Sequence, residues 1–146
     1  MRLGIVLFLG LTATLHTFGD GETVTRYGIA PDLKTYPQSN AKEALSSVLK
    51  ALEAKRVDYL VAQLADPEFI DDRVKRLYAG KFEQQLEDTR TRLDAPSVEL
   101  LKKIHKDGEW SEDKERVTAR LKDVTDKCIA LRQISGRWFL ENRSKP

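Results

Sequence analysis

The chain has 146 residues, of which 25 are Lys or Arg, 23 are Asp or Glu and 40% are apolar. This length suits one compact domain and is too short for two ordinary ones. A mean hydropathy of -0.48 excludes a multi-span membrane protein. The near balance of charges gives no basic surplus for nucleic-acid binding, so no nucleic-acid partner is predicted.

The N-terminus has the features of a secretory signal peptide. Arg2 precedes an uncharged apolar run over residues 3–15, which is shorter than the roughly 20 residues that cross a bilayer. Thr17-Phe18-Gly19 offers small residues at the positions that a signal peptidase reads. Residues 1–19 are therefore predicted to be cleaved near Gly19. The mature chain is predicted to be exported to the periplasm or the exterior, without a membrane span.

The mature chain offers few metal ligands. After cleavage, Cys128 would be the one cysteine and His105 the one histidine. Disulfides need paired thiols, and zinc sites need three or four Cys- or His-type ligands. Glycine-rich loops of the kind that bind nucleotide phosphates do not occur in the sequence. We therefore predict no metal site and no cofactor, and we place His105 on the solvated surface.

Residues 20–39 form a segment of their own in the sequence. They contain two glycines and two prolines without sustained periodicity, which predicts an extended lead segment rather than a helix. Tyr27, Ile29 and Tyr36 are its candidate anchors to the rest of the chain. Residues 40–143 are predicted to form a single α+β domain, and residues 144–146 a short tail.

Helical periodicity begins at residue 40. Asn40 and Glu43 have the spacing of a capping box, and the apolar residues that follow recur at helical intervals. Asp58 is predicted to cap a second, short helix. Apolar residues from Phe82 to Leu93 continue the helical period. A further short helix is predicted to end at Gly108.

A third helix is predicted from about residue 67 to residue 79, and four acidic residues lie at its start. Gly80 follows it, where a left-handed residue can end a helix. The cluster consists of Asp66, Glu68, Asp71 and Asp72. Its spacing does not match a calcium-binding loop, whereas Asp66 can cap the helix and Glu68 can meet the positive end of its dipole. The cluster is therefore interpreted as a helix start.

The period changes after Gly108. Residues 117–122 alternate strictly, and Ser135-Gly136 has the composition of a two-residue hairpin loop. That loop predicts one face with the pairs Gln133 and Trp138, Leu131 and Leu140, and Ile129 and Asn142. The opposite face would carry Arg132 against Phe139 and Ala130 against Glu141.

Two fold classes fit these patterns. The favoured class is α+β, with N-terminal helices packed on a C-terminal curved antiparallel sheet in a cone-like arrangement. The alternative is an all-α bundle with a small C-terminal hairpin. It depends on a helical stripe formed by Val117, Leu121, Val124, Cys128 and Leu131.

The aromatic residues give the candidate sites. A sheet that curves over the helices could leave a cavity for a small apolar ligand, which we predict to be lined by Tyr59, Tyr78, Phe82 and Trp138. The outer sheet face, with Arg132 and Phe139, is a candidate face for a protein partner or for a homodimer. No catalytic residue is predicted.

The order of helices followed by a closing hairpin resembles a known superfamily. The stretch from Leu131 to Asn142, with Gly136-Arg137-Trp138 at its centre, is similar to the closing strands of the nuclear-transport-factor-two-like (SnoaL-like) superfamily. The stretch from Tyr36 to Asp72 also resembles short exported bacterial proteins of unassigned function. The resemblance spans about residues 41–142 and implies a cone-shaped α+β fold.

Enzymes of that superfamily typically place a His/Asp or Tyr/Asp pair in the cone. The sequence offers no histidine for such a position, so the expected function is an exported, non-catalytic domain that binds a small ligand or a protein. The alternative is a small isomerase or hydrolase that uses Asp58 or Asp66 beside Tyr59 or Tyr78.

Overall fold

The computed structural model describes residues 24–124 and 126–141, and its elements are five helices and one four-stranded antiparallel sheet. The predicted signal peptide over residues 1–19, the predicted tail over 144–146 and the pairing of Ile129 with Asn142 lie outside the described residues.

The helices precede the strands along the chain. They are α1 (Ala41–Glu53), α2 (Val57–Tyr59), which continues as a π-helical turn (Leu60–Leu64), α3 (Pro67–Leu77), α4 (Phe82–Arg92) and α5 (Ala95–Asp107). The strands are β1 (Glu109–Asp113), β2 (Arg116–Arg120), β3 (Cys128–Ile134) and β4 (Arg137–Glu141), and they neighbour one another in that order. The α+β class is therefore confirmed.

The helical stripe proposed for residues 117–131 is wrong. Val117 faces Leu131 and Ala119 faces Ile129 across β2 and β3. Of the proposed stripe, Val117 and Leu131 share one face of the sheet, because period-2 alternation places every second side chain on one side. Cys128 pairs with Arg120 on the other face, and Leu121 and Val124 follow the end of β2. Burial of the face with Val117 and Leu131 against the helices selects strands over a helix.

The hairpin of β3 and β4 has the predicted register. Gln133 pairs with Trp138 and Leu131 pairs with Leu140. Ser135 and Gly136 have φ angles of 49° and 79°, the two positive values that a tight turn between twisted strands requires. The local turn therefore fixes which residues share a face.

Strand β1 was not predicted. Four of its five residues are exposed, and only Trp110 is partly buried, opposite Ala119. A polar edge strand with one inward aromatic residue carries almost no apolar alternation, so its sequence does not distinguish it from a loop.

The helix starts agree with the prediction at two of three positions. The Asn40 side chain accepts a hydrogen bond from the Glu43 backbone N–H, and Asp66 accepts from the first turn of α3. Asp58 does not cap α2, which was wrong. The guanidinium of Arg56 binds both carboxylate oxygens of Asp58 at 2.9 and 3.0 Å. Helix α2 begins at Val57, one residue before Asp58.

The main core lies between α1, α5 and the inner face of the sheet. Leu45 and Val48 of α1 and Ile104 of α5 pack with Leu131 of β3. A second, smaller cluster forms where the π-helical turn meets α3 and α4, around Val61, Ile70, Val74 and Leu86. The two clusters leave a space between them, and the candidate site lies there.

The lead segment packs on the helices through specific contacts. The Tyr27 ring stacks on Phe82 at 4.1 Å, and its hydroxyl donates to Asp71 at 2.6 Å. Burial and the hydrogen bond to Asp71 raise the pKa of Tyr27 to about 12. The guanidinium of Arg26 binds the same Asp71 carboxylate. Asp71 therefore anchors the lead segment to α3.

Candidate functional site

The four aromatic residues predicted to line one pocket are not brought together. Tyr59 is 2% exposed and belongs, with Trp138, to the main core. Phe82 packs on the second cluster, and the Tyr78 hydroxyl accepts a hydrogen bond from Arg73 at 3.1 Å. A domain of this size uses its large aromatic residues to fill the core, and the structure distributes the predicted residues over separate packing sites.

Trp138 does border an indentation, but a different one from the predicted cone. It meets Trp110 and Lys42 at the start of α1, around an open pocket of about 280 Å³. The Lys42 amine lies 5.7 Å from the centre of the Trp110 ring. This pocket has little enclosed apolar surface, so it is a weaker candidate than the cleft described next.

The residues of the proposed outer sheet face are engaged within the chain. Phe139 is 5% exposed and Ala130 is also buried. Arg132 binds Asp66 at 2.9 Å and Glu68 at 2.6 Å. The start of α3 lies beside β4, where the Asp66 backbone N–H donates to the Leu140 carbonyl, so α3 covers part of this face.

The best-formed concave site is a cleft of about 350 Å³ between α3, α4, α5, the π-helical turn and one end of the sheet. Its apolar lining consists of Leu60, Val61, Ala65, Ile70, Leu93, Leu101, Ile129 and Leu140. Its polar lining consists of Arg73, Gln85, Asp88, Thr89, Arg92, Cys128 and Glu141. An apolar lining with a few polar groups is the usual composition of a small-molecule site.

The π-helical turn builds one wall of this cleft. The Ala65 backbone N–H donates to the Leu60 carbonyl at 2.8 Å, five residues back, which is the hydrogen bond of a π-helix. The next residue, Asp66, donates its N–H to the Leu140 carbonyl at 2.9 Å. These bonds hold Leu60, Ala65 and Leu140 along the same wall.

Two arginines and one aspartate form the rim of the cleft. Nη2 of Arg73 and Nε of Arg92 both lie 3.0 Å from Oδ2 of Asp88. Nε of Arg73 also donates to the Gln85 side-chain oxygen at 3.1 Å. A single carboxylate therefore orients two guanidinium groups that come from α3 and α4.

The rim keeps Asp88 ionised. Burial by itself would raise the pKa of Asp88, but hydrogen bonds from Tyr78 and Arg92 and the charges of Arg92 and Arg73 outweigh it, and the pKa lies below its ordinary value. An aspartate of lowered pKa is a weak proton acceptor at neutral pH. Asp88 is thus suited to holding the arginines in place.

The sheet end of the cleft contributes a second carboxylate. Glu141 is 8% exposed, and its Oε1 accepts hydrogen bonds from Nε and Nη2 of Arg116 at 3.1 and 2.8 Å. Arg116 lies outside the lining of the cleft. A residue outside the cleft lining, Arg116, therefore compensates the negative charge of Glu141. The nearby Cys128 thiol is free and partly buried.

Of the residues considered for catalysis, Tyr78 contacts Arg73 and Asp88 of the rim, whereas Asp58, Asp66 and Tyr59 lie apart from the cleft. Asp58 is bound by Arg56, and this hydrogen bond lowers the pKa of Asp58. The Tyr59 hydroxyl accepts a hydrogen bond from the Asp32 backbone N–H at 2.8 Å. Asp66 caps α3 and binds Arg132. None of these three residues lines the cleft.

The polar residues by which α4 lines the cleft were not identified from the sequence. Gln85, Asp88, Thr89 and Arg92 recur at helical spacing along α4, and such a polar stripe normally predicts a solvated helix face. The one available signal is that this stripe contains an amide and a hydroxyl beside its charges. That signal does not distinguish a helix face that lines a cleft from one that faces solvent.

The chain matches no family model, no curated protein and no solved structure at a significant level. In the part of the chain that the structure describes, no helix is both long and apolar enough to cross a membrane. Within the same residues, no three His, Cys, Asp or Glu side chains gather in a way that could hold a metal ion.

Proposed function

We propose that the chain is an exported, non-catalytic binding domain and that its ligand is a small, largely apolar molecule held in the cleft. The observation that carries this proposal is the cleft itself. Its volume of about 350 Å³ lies within the range of small-molecule sites, about 300–1,000 Å³. Its apolar lining comes from both core clusters, and its polar groups come from α3, from α4 and from the sheet end.

The proposal includes the resemblance to the nuclear-transport-factor-two-like superfamily. Enzymes of that superfamily typically place their catalytic pair in the cone, and the cleft likewise lies between the helices and one end of the sheet. The proposed ligand site therefore moves from the four predicted aromatic residues to the cleft, where Ile129 and Leu140 of the sheet face Leu60 and Val61 of the π-helical turn.

Binding is favoured over catalysis by the ionisation of Asp88, the carboxylate of the cleft rim. A general base near neutral pH needs a raised pKa, whereas the pKa of Asp88 is lowered. The isomerase or hydrolase alternative would need Asp58 or Asp66 to reach a substrate. Both side chains are held by arginines outside the cleft.

The binding proposal can be tested with a neutral dye. N-phenyl-1-naphthylamine fluoresces in apolar surroundings, and we expect saturable binding to one site, with 1-octanol as a competitor. Leu101 lines the cleft, whereas Leu77 is 62% exposed at the end of α3. Leu101→Trp would fill the cleft and should weaken dye binding by about tenfold or more, while Leu77→Trp should leave it unchanged.

The native chain decides the outcome even if Leu101→Trp does not fold. Circular dichroism and thermal melting establish whether both variants keep the fold. If the native chain binds neither the dye nor 1-octanol, or if Leu77→Trp weakens binding as much as Leu101→Trp does, the cleft is not a ligand site.

The export part of the proposal depends on residues 1–19. The chain is expected to appear outside the cytoplasm as a mature form that begins near Asp20. Mass spectrometry of the exported chain measures this start directly. Recovery of the uncleaved chain from the cytoplasm alone would contradict the proposal.

A further inference from the structure

The rim of the cleft carries one surplus positive charge. Arg73 and Arg92 contribute two positive charges, and the Asp88 carboxylate that they share contributes one negative charge. The other acidic residue of the lining, Glu141, is paired with Arg116. The charges at the two ends of the cleft therefore differ, and the α3–α4 end is net positive.

Both rim arginines have donors left for a ligand. A guanidinium has five N–H donors. Among the described residues, Arg73 uses Nε and Nη2 in its hydrogen bonds, to Gln85, Tyr78 and Asp88, while Nη1 makes none. Arg92 has a side chain that is 68% exposed, and its one ion pair is through Nε. Both groups can receive an anion without releasing Asp88.

The rest of the cleft is suited to an apolar chain. Leu60, Ile70 and Leu93 lie among the lining residues together with Leu140 at the sheet end. A ligand with one anionic group at the rim would place its apolar body along these side chains. A neutral ligand would leave the surplus charge uncompensated, and a cationic ligand would add a second one.

We infer that the natural ligand of the cleft is a small amphipathic monoanion. Its anionic head would bind Arg73 and Arg92, and its apolar chain would lie along the apolar lining of the cleft. This inference rests on the proposed binding function and specifies the chemistry of its ligand. Charge-assisted contacts of arginine with a carboxylate are stronger than neutral hydrogen bonds, especially where the guanidinium is already oriented.

The test compares three probes that share an eight-carbon tail but differ in head group with a fourth probe, acetate, that has the carboxylate without the tail. Octanoate, 1-octanol, octylammonium and acetate each compete with N-phenyl-1-naphthylamine for the native chain. Octanoate is expected to bind about tenfold more tightly than 1-octanol, octylammonium more weakly than both, and acetate hardly at all. Raising the salt concentration from about 50 mM to about 500 mM should reduce this preference for octanoate, because the head group is near solvent.

Variants of the rim arginines test whether these residues cause the preference for octanoate. Arg92→Gln is expected to weaken the binding of octanoate much more than the binding of 1-octanol, and so to remove most of the preference for octanoate. The matched control is Arg90→Gln, on the same helix, because Arg90 pairs with Glu87 and does not line the cleft. Arg73→Gln provides a second rim variant, checked for folding by thermal melting.

The outcomes separate this inference from the binding proposal. Binding of 1-octanol as tight as that of octanoate, or a preference that Arg92→Gln and Arg90→Gln reduce equally, overturns the inference and leaves the binding function in place. Tighter binding of octylammonium also overturns it. Failure of the dye and of every probe overturns both.

Discussion

Replacing Tyr59 with alanine is expected to lower the free energy of unfolding by about 3–5 kcal/mol, the usual cost of removing a buried aromatic ring. Tyr59 is 2% exposed, and its ring stacks on Tyr36 at 4.3 Å. The deletion would open a cavity where the lead segment, α2 and the main core meet. Urea denaturation followed by tryptophan fluorescence measures the loss.

Tyr59→Phe is the matched control because it keeps the ring and removes only the hydroxyl. That hydroxyl accepts a hydrogen bond from the Asp32 backbone N–H at 2.8 Å, so a loss of about 0.5–1.5 kcal/mol is expected. Dye binding in the cleft should be unchanged in this variant, since Tyr59 does not line it. A loss of dye binding with unchanged stability would restore Tyr59 to the candidate site.

Replacing Arg137 with methionine is expected to lower the free energy of unfolding by about 2–4 kcal/mol, because it leaves buried hydrogen-bond acceptors without a donor. Nη2 of Arg137 donates to the side-chain oxygen of Gln38 at 2.6 Å and to that of Gln63 at 3.2 Å. Both glutamines are buried. This network ties the lead segment, the π-helical turn and β4 together.

The size of this effect is limited by the cost of burying a cation. Burial lowers the pKa of Arg137 below its ordinary value, and its hydrogen-bond partners are neutral amides. Methionine would remove that cost while it removes the donors. Chemical denaturation of Arg137→Met beside Arg120→Met, an exposed arginine on β2, separates the buried network from the general effect of losing a charge. A variant as stable as the native chain would show that the cation costs as much as its hydrogen bonds contribute.

Local patterns predicted the hairpin and most of the helix ends. The register of β3 and β4 follows from Ser135 and Gly136, because two consecutive positive φ angles select a tight turn. The caps at Asn40 and Asp66 depend on side chains that bond to the backbone a few residues away. Such features need no information from distant parts of the chain.

Competition among side chains explains where local rules failed. Asp58 has the residue type of a helix cap, but Arg56 two residues earlier binds its carboxylate in a bidentate pair. Trp110 alone marks β1, since the other residues of that strand are exposed. In both cases the deciding partner was present in the sequence, but its effect depended on the folded geometry.

The sequence by itself determined the helices at the start of the domain and the pairing of the last hairpin, and it favoured the α+β class over the all-α alternative. These depend on periodicity and turn chemistry over a few neighbouring residues. Only the tertiary structure decided where the cleft lies. Arg73 of α3 and Asp88 of α4 meet across the rim, and Leu140 of β4 completes the wall. A polar stripe on a helix has the same sequence pattern whether it faces water or a cleft, and only the packing of distant elements determines which one it faces.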